Sequence, residues 1–139
     1  GVEQFSGRLF VFGGNAAFEP MANLEVLDVA TWTWSRPETT GLPPGPRNSH
    51  SQTLVGRKLF VIGGGTGGHM LPVTGRDLVD IHVLDVDTLA WSQVSPHGSL
   101  VAATLGRGHR AVLMGSSKIL LMFGSHPPCN AVSVFDTAR

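Results

Sequence analysis

Three glycines that could cradle a phosphate follow a strongly apolar stretch. Gly63, Gly65 and Gly68 form the pattern Gly-x-Gly-x-x-Gly. Asp85 stands further along, at the spacing of the carboxylate that binds a ribose in dinucleotide sites. In such a site the last glycine opens a helix whose N-terminus faces the pyrophosphate. Here Pro72 and a further glycine occupy the segment where that helix would lie. The sequence therefore favours a loop, and we expect no nucleotide cofactor.

The chain contains six histidines, so a metal site is the next kind of chemistry to consider. His50 and His109 precede two similar strands, and we interpret both as structural side chains that bond to loop backbone. The remaining histidines are His69, His82, His97 and His126. The sequence has no His-x-x-x-His pair and no carboxylate at a metal-ligand spacing. We therefore predict no metal site.

Nucleophiles and general acids or bases are sparse as well. The single cysteine, Cys129, follows two prolines without an evident activating partner, and the chain lacks a Gly-x-Ser-x-Gly motif. Asp28, Asp85 and Asp136 each end a strand-like stretch, where aspartate typically accepts hydrogen bonds from the backbone of a turn. The sequence predicts no catalytic residue and therefore no enzymatic activity in this segment.

Composition argues against several classes of partner. Ten Lys and Arg balance ten Asp and Glu without a basic cluster, which disfavours nucleic acid and an anionic membrane surface. No apolar stretch is long enough to span a membrane. The lone cysteine permits no internal disulfide, which fits a reducing compartment, and we expect a cytoplasmic or nuclear location.

The elements that position these residues are marked by an apolar run that recurs along the chain. The run occurs at 9–12 before Gly13 and Gly14, at 59–62 before Gly63 and Gly64, and at 120–123 before Gly124. A short apolar run bounded by glycine predicts a strand buried on both faces. The glycine pair would let the backbone leave that strand with a positive φ. In the third copy, Ser125 stands where we expect the second glycine.

Three further features follow each of the first two apolar runs in the same order, and the third run is followed by the first of these features. A strand-like stretch ends in aspartate, a tryptophan comes six residues later, and an arginine and a histidine precede the next strand. These residues are Asp28, Trp34, Arg47 and His50 after the first run, Asp85, Trp91, Arg107 and His109 after the second, and Asp136 after the third. Each full unit predicts four short strands, and no long stretch has helical periodicity. Tandem four-stranded units are typical of a β-propeller, in which the tryptophans would pack between neighbouring sheets.

This combination of residues resembles the kelch repeat over nearly the whole chain. The resemblance implies an all-β fold: a partial β-propeller of about two and a half kelch-type four-stranded blades, belonging to a larger ring of five to seven blades. The repeat units would be roughly 1–46, 47–106 and 107–139, within a longer chain. Two departures are the pair Gly124-Ser125 and the complete absence of tyrosine, including the family's usual Tyr before the Trp segment.

The resemblance also implies a function, because kelch propellers present loops on one face of a rigid ring to a partner protein. The longest loop, 65–78, carries His69, Arg76 and Asp77, which we predict to contact that partner. The alternative for this loop is an insertion that the fold merely tolerates. The partner could be a substrate that the propeller, as an adaptor or scaffold, recruits to a ubiquitin ligase.

A second reading of the resemblance is an enzyme of kelch-propeller fold with a small-molecule site at the axial mouth. Some kelch propellers are oxidases that use tyrosine and copper ligands, and a segment without tyrosine cannot supply that chemistry. We expect a protein-binding module that requires no cofactor.

Overall fold

The computed structural model of the chain describes residues 1–67, 75–95, 105–124 and 130–138. Fourteen β-strands lie in these ranges, and Leu105 is the only described residue assigned to a helix. The strands are β1 (Glu3–Phe5), β2 (Arg8–Phe12), β3 (Asn15–Ala16), β4 (Glu19–Pro20), β5 (Leu24–Asp28), β6 (Thr33–Ser35), β7 (Thr40–Gly41), β8 (Ser51–Val55), β9 (Lys58–Ile62), β10 (Ile81–Asp85), β11 (Ala90–Val94), β12 (Arg110–Met114), β13 (Lys118–Met122) and β14 (Val132–Asp136).

The strands form three main sheets in chain order, which we call the first, second and third blades. The first blade has the order β1-β2-β5-β6, and the second has β8-β9-β10-β11 with β7 added beside β11. The third blade contains β12-β13-β14, and β3 and β4 form a separate hairpin. Neighbouring strands within each blade are antiparallel, apart from the parallel pair β7 and β11. The predicted all-β partial propeller is confirmed.

Two segments outside the main blade strands contain short strands. Residues 15–20 form the β3–β4 hairpin, and β7 lies in the proline-rich stretch 37–46. The Thr40 amide donates to the Leu89 carbonyl at 3.1 Å, and the Leu42 amide donates to the Trp91 carbonyl at 3.3 Å. Proline lacks this donor, so the non-proline residues of the stretch supply the pairing. They cover the outer edge of the second blade.

The strand register defines which positions of the three blades are equivalent. The second strand of each blade begins opposite the aspartate that ends the third: Arg8 with Asp28, Lys58 with Asp85, and Lys118 with Asp136. This register places Phe123 at the position of Gly63, and Gly124 at that of Gly64. The sequence pattern, which aligns Gly124 with Gly63, is therefore wrong by one residue, because Phe123 continues the apolar run beyond the end of β13. Ser125 lies outside the described residues.

The first glycine of the pair is required where one blade meets the segment that leads into the next. Gly63 has a φ of 61°, and a Cβ atom there would lie 1.5 Å from the carbonyl oxygen of Leu105. Because the backbone is left-handed here and the Leu105 carbonyl is so close, any residue other than glycine would be energetically costly at this position. Phe123 adopts a similar φ of 62° in the third blade, with its side chain exposed.

The hydrophobic core lies between the blades. Adjacent strand residues point to opposite faces of a sheet, and the second blade buries both of its faces. One cluster joins the first and second blades: Phe10, Phe12, Leu24, Val26, Leu59, Val61, Leu84, Val86 and Trp91. The other joins the second and third: Phe60, Ile62, Ile81, Val83, Leu105, Ile119, Leu121 and Phe135. Because successive side chains of β9 point to opposite faces of the sheet, they pack alternately in the two clusters.

The two equivalent tryptophans have different surroundings. Trp91 is 4% exposed, and its ring lies edge-on to that of Phe12 with the centroids 5.3 Å apart. Trp34 is 56% exposed. Trp91 packs against the preceding blade, whereas Trp34 belongs to the first blade, which no described sheet precedes. The predicted packing of tryptophan between blades therefore holds for Trp91.

Gly63→Ala should destabilise the chain more than Gly14→Ala, although both glycines have a positive φ. A Cβ atom on Gly14 would meet nothing within 4 Å, so that variant should lose only the backbone penalty of about 1–2 kcal/mol. The collision with the Leu105 carbonyl should raise the loss for Gly63→Ala above about 3 kcal/mol. Urea unfolding measures both losses, and equal values would contradict the close approach.

Candidate functional site

The connecting segments of the blades meet at one end of the strands. Because the strands run up and down in chain order, the segment between the second and third strands leaves from the same end as the segment between blades. We call this end the loop face. Its described parts are 13–23, 43–50, 63–67, 75–80 and 105–109. The described parts of the predicted partner-binding loop 65–78, residues 65–67 and 75–78, lie on this face, beside the segments that lead into β8 and β12.

Of the three predicted partner-binding residues, His69 lies outside the described residues. The side chain of Arg76 is exposed, and its backbone is fixed by two hydrogen bonds with Thr66. The Thr66 amide donates to the Arg76 carbonyl at 3.0 Å, and the Arg76 amide donates to the Thr66 hydroxyl at 3.1 Å. These two hydrogen bonds hold the two ends of the loop together, and Arg76 lies at the surface.

Asp77 faces a different group, the guanidinium of Arg107. The Arg107 Nε atom lies 3.0 Å from the Asp77 Oδ1 atom, and the Arg107 side chain is mostly buried. This ion pair joins the loop of the second blade to the segment that leads into the third. The structure therefore brings Asp77 and Arg107 together, and it gives the Asp77 carboxylate a contact within the chain.

Arg47 is a buried arginine that ties the segment between the first and second blades to the second. Its guanidinium donates two hydrogen bonds to the Asp80 carboxylate, at 2.7 and 3.0 Å, and one to the Gly63 carbonyl at 3.0 Å. The side chain of Arg47 is only 2% exposed. Bidentate, charge-assisted pairs of this kind fix orientation as well as distance.

His82 extends this network towards the outer edge of the second blade. Its Nε2 atom lies 3.0 Å from the Asp80 carboxylate, and its Nδ1 atom lies 3.2 Å from the Leu42 carbonyl. Burial alone would raise the pKa of Asp80, but the hydrogen bonds from His82 and Arg47 outweigh it and hold that pKa well below its ordinary value. Asp80 is therefore a fixed negative charge.

Sequence reasoning did not identify Asp80 or His82 as members of a site. A signal was present, because two polar residues at alternate positions open an otherwise apolar strand and so lie on one side of it. Arg47 and Arg107, which the sequence pattern treats as equivalent, bind different aspartates. Arg47 stands three residues before His50 and Arg107 two before His109, which shifts the second guanidinium relative to the strand that follows.

Of the two repeated histidines, His109 is buried and His50 is partly buried. His109 accepts or donates through both ring nitrogens: Nδ1 lies 2.7 Å from the Gly106 carbonyl, and Nε2 lies 2.7 Å from the Ser51 hydroxyl. A proton on Nδ1 satisfies both contacts, because the hydroxyl can then donate to Nε2. Burial lowers the pKa of His109, and it lowers the pKa of His50 to about 4. Both rings are therefore neutral at pH 7.

The three repeated aspartates bind turns at the opposite end of the blades. The Oδ1 atom of each accepts amide hydrogen bonds from residues two or three positions later. The donors are Ala30 and Thr31 for Asp28, Asp87 and Thr88 for Asp85, and Ala138 for Asp136. The Thr31 and Ala30 amides hold the pKa of Asp28 below its ordinary value. Each aspartate thus closes the turn between the third strand and the residues that follow.

A cavity of about 230 Å³ lies between the second and third blades, away from the loop face. Phe60, Val83 and Phe135 form its apolar wall. Its charged residues are Lys58 and Asp85, which are cross-strand neighbours at the end of the sheet opposite the loop face. The cavity and the loop face are therefore separate features.

Within the described ranges, no three or more His, Cys, Asp or Glu side chains are grouped so that they could hold a metal ion. The same ranges contain no helix long and apolar enough to cross a membrane.

Comparison with known proteins agrees with this architecture. Residues 2–139 match the family described as the KLHDC2/KLHL20/DRC7 Kelch-repeats domain. The chain belongs to the kelch-repeat family. The match covers all three blades, so the third repeat is included although Phe123 replaces the first glycine of its pair.

Several curated proteins are similar to this chain. Rab9 effector protein with kelch motifs from Rattus norvegicus is 39% identical over 109 residues, which are 78% of this chain and 28% of that protein. Kelch domain-containing protein 2 from Bos taurus is 36% identical over 104 residues, 73% of this chain and 23% of that protein. Acyl-CoA-binding domain-containing protein 5 from Arabidopsis thaliana is 36% identical over 110 residues, 78% of this chain and 16% of that protein. The chain spans less than a third of each relative.

Arg47→Ala should cost about 3 kcal/mol of unfolding free energy, because it leaves the partly buried Asp80 carboxylate without its bidentate partner. Arg36→Ala is the matched control, since Arg36 pairs with Glu25 on the exposed surface, where an ion pair contributes less than about 1 kcal/mol. Urea unfolding at pH 7 measures both. If the two variants lost the same free energy, the kelch-repeat arginine would have no special structural role.

The unfolding free energy should fall as the pH is lowered from 7 towards 4. A histidine whose folded pKa is depressed takes up its proton more readily in the unfolded chain, so stability is complete above pH 6.5 and is lost as the pH drops. For His50, a shift from about 6.5 to about 4 corresponds to a loss of about 2 kcal/mol between pH 7 and pH 5. Urea unfolding at several pH values tests this, and His50→Gln should flatten the slope. An unchanged slope would contradict the assignment.

Proposed function

We propose that this chain is part of a protein-interaction module and that its loop face contacts the partner protein. Its membership of the kelch-repeat family supports a binding role, and so does the name of the rat relative, an effector of Rab9. One observation supports the choice of the loop face. Its exposed side chains project from backbone that buried polar contacts hold in place.

Three exposed side chains form the proposed contact surface: Phe18, Arg76 and Val79. Phe18 lies in the turn of the β3–β4 hairpin, and Arg76 and Val79 lie between β9 and β10. Aromatic residues and arginine are enriched among the residues that dominate binding energy at interfaces. An aromatic ring, an aliphatic group and a cation on one face suit a protein surface that offers an apolar pocket beside a carboxylate.

The backbone beneath this surface is braced across two blades. The Asn48 side-chain amide donates to the Asn15 side-chain oxygen, in the hairpin that connects two strands of the first blade, at 2.9 Å, and to the Gly67 carbonyl, in the loop of the second blade, at 2.6 Å. Two backbone hydrogen bonds join Asn48 to Gly65, and the Asp77–Arg107 pair adds the link to the third blade. A braced surface loses little conformational entropy on binding, which favours affinity.

The proposal is for binding without catalysis. The cavity between the second and third blades holds one lysine and one aspartate as its charged residues, and it lies at the opposite end from the braced loops. Recruitment of a substrate to a ubiquitin ligase, and a cytoplasmic or nuclear location, belong to the same proposal and follow the resemblance to kelch adaptors. Rab9 is the first named partner to test, because relatives carry it in their names.

Phe18→Ala and Arg76→Ala should each weaken capture of the partner at least tenfold, which is about 1.4 kcal/mol. Trp32→Ala is the matched control, because Trp32 is also an exposed aromatic residue and lies in the turn at the opposite end of the first blade. The measurement is quantitative mass spectrometry of proteins captured from cells by the chain and its variants, with purified Rab9 added separately.

A discrete set of partners lost with Phe18→Ala and Arg76→Ala, and kept with Trp32→Ala, supports the loop face. Identical captures from all variants, or loss only with Trp32→Ala, would contradict it. In that case the axial small-molecule site, tested by ligand-induced thermal stabilisation, becomes the better explanation.

A further inference from the structure

The segment between the first and second blades contains a short proline-rich run, Leu42-Pro43-Pro44-Gly45-Pro46. Proline fixes its own φ, and a residue that precedes a proline is restricted to extended backbone. Leu42, Pro43 and Gly45 each precede a proline. The run is therefore under the constraints that produce a polyproline II helix, which has about three residues per turn.

The exposure of the run follows the period of such a helix. Leu42 is 65% exposed, and Pro43, Gly45 and Pro46 are exposed as well, whereas Pro44 is buried. The dipeptides Leu42-Pro43 and Gly45-Pro46 thus lie on the solvent side, and the residue between them faces the protein. We call the four exposed residues the proline ridge.

Contacts with the rest of the chain hold both ends of the proline ridge. The Leu42 amide donates to the Trp91 carbonyl at 3.3 Å, and the His82 Nδ1 atom lies 3.2 Å from the Leu42 carbonyl. At the other end, the Arg47 Nε atom donates to the Gly45 carbonyl at 3.2 Å. Because these contacts fix the ridge before a partner arrives, binding costs it little conformational entropy.

The fold itself does not require these prolines. Arg107 is the arginine of the next repeat, and residues 97–106, which lead to it, contain no proline. Arg47 and Arg107 nevertheless both lie in mostly buried ion pairs with an aspartate. The blade connection therefore forms with or without a proline-rich approach, and the exposed prolines are available for another role.

The proline ridge is an apolar surface without a charge of its own. None of its four residues is charged, and the guanidinium of the neighbouring Arg47 is buried against Asp80. The ridge offers two pyrrolidine rings and a leucine side chain. Grooves lined by aromatic side chains recognise extended, proline-rich segments of this kind.

We propose that the proline ridge docks into the aromatic-lined groove of a polyproline-binding domain, with Leu42-Pro43 and Gly45-Pro46 in neighbouring pockets. The partner is a small domain of the SH3, WW or EVH1 type, which reads prolines three positions apart. Residues 43–46 belong to the loop face, but the proposal does not rest on the contact surface formed by Phe18, Arg76 and Val79.

The test is a binding screen of the chain against a panel of purified SH3, WW and EVH1 domains, with surface plasmon resonance for each domain that binds. Pro43→Ala and Pro46→Ala should each weaken binding at least about tenfold, because each removes a ring that one pocket receives. Pro37→Ala is the matched control, since Pro37 lies in the same connection but outside the ridge, and it should leave the affinity unchanged. Circular dichroism and urea unfolding show that each variant remains folded.

Two further measurements identify the groove and the kind of contact. An alanine substitution of a groove aromatic residue in the bound domain should abolish binding. The affinities at low and high salt should differ by less than about twofold, because the ridge carries no charge. Phe18→Ala and Arg76→Ala should retain this binding, so that failure of the proposed contact surface and failure of the proline ridge give different results.

Several outcomes would overturn the proposal. They are the absence of binding by any domain of the panel, equal affinities for the unaltered chain and Pro43→Ala, and binding that disappears at high salt. A synthetic peptide of residues 39–48 supplies the last comparison. If the peptide bound a domain that the folded chain does not bind, the ridge would be inaccessible in the protein.

Discussion

The structure depends on the need of each sheet to cover two apolar faces. The second blade shows the requirement fulfilled, because Leu59 and Val61 pack on the first blade while Phe60 and Ile62 pack on the third. A single blade of this sequence would expose one or both rows to water, at about 25 cal/mol for each Å² of apolar surface. Stability therefore comes from stacking, and each blade depends on its neighbours.

The close stacking of the blades brings the backbone of one blade against the segment that leads into the next. The Leu105 carbonyl leaves no room for a side chain on Gly63, so a glycine stands at this point for steric as well as conformational reasons. The buried guanidinium of Arg47 fills a neighbouring position, where it satisfies the Gly63 carbonyl and the Asp80 carboxylate together. Connections that carry backbone polar groups into the interior are thereby hydrogen-bonded.

The two ends of the blades differ in their hydrogen bonds: those at the loop face join distant segments, and those at the opposite end close local turns. At the opposite end, Asp28, Asp85 and Asp136 close short turns through local hydrogen bonds. At the loop face, Asn48 and Arg107 link segments that are distant in sequence. Long-range bracing leaves the exposed side chains between these links free to vary without loss of the fold, which suits a surface that recognises a partner.

The sequence by itself determined the repeat and the main strands of the blades, because these have local signatures: an apolar run before Gly13 or Gly63, alternation before Asp28 or Asp85, and a tryptophan at fixed spacing. Only the tertiary structure decided that Asp77 binds Arg107 whereas Asp80 binds Arg47, that β7 joins the second blade, and that Phe123 takes the position of a glycine. It also decided that Trp91 is buried and Trp34 exposed. These outcomes depend on neighbours distant in sequence, and the pairing of distant segments leaves no periodic mark in the chain.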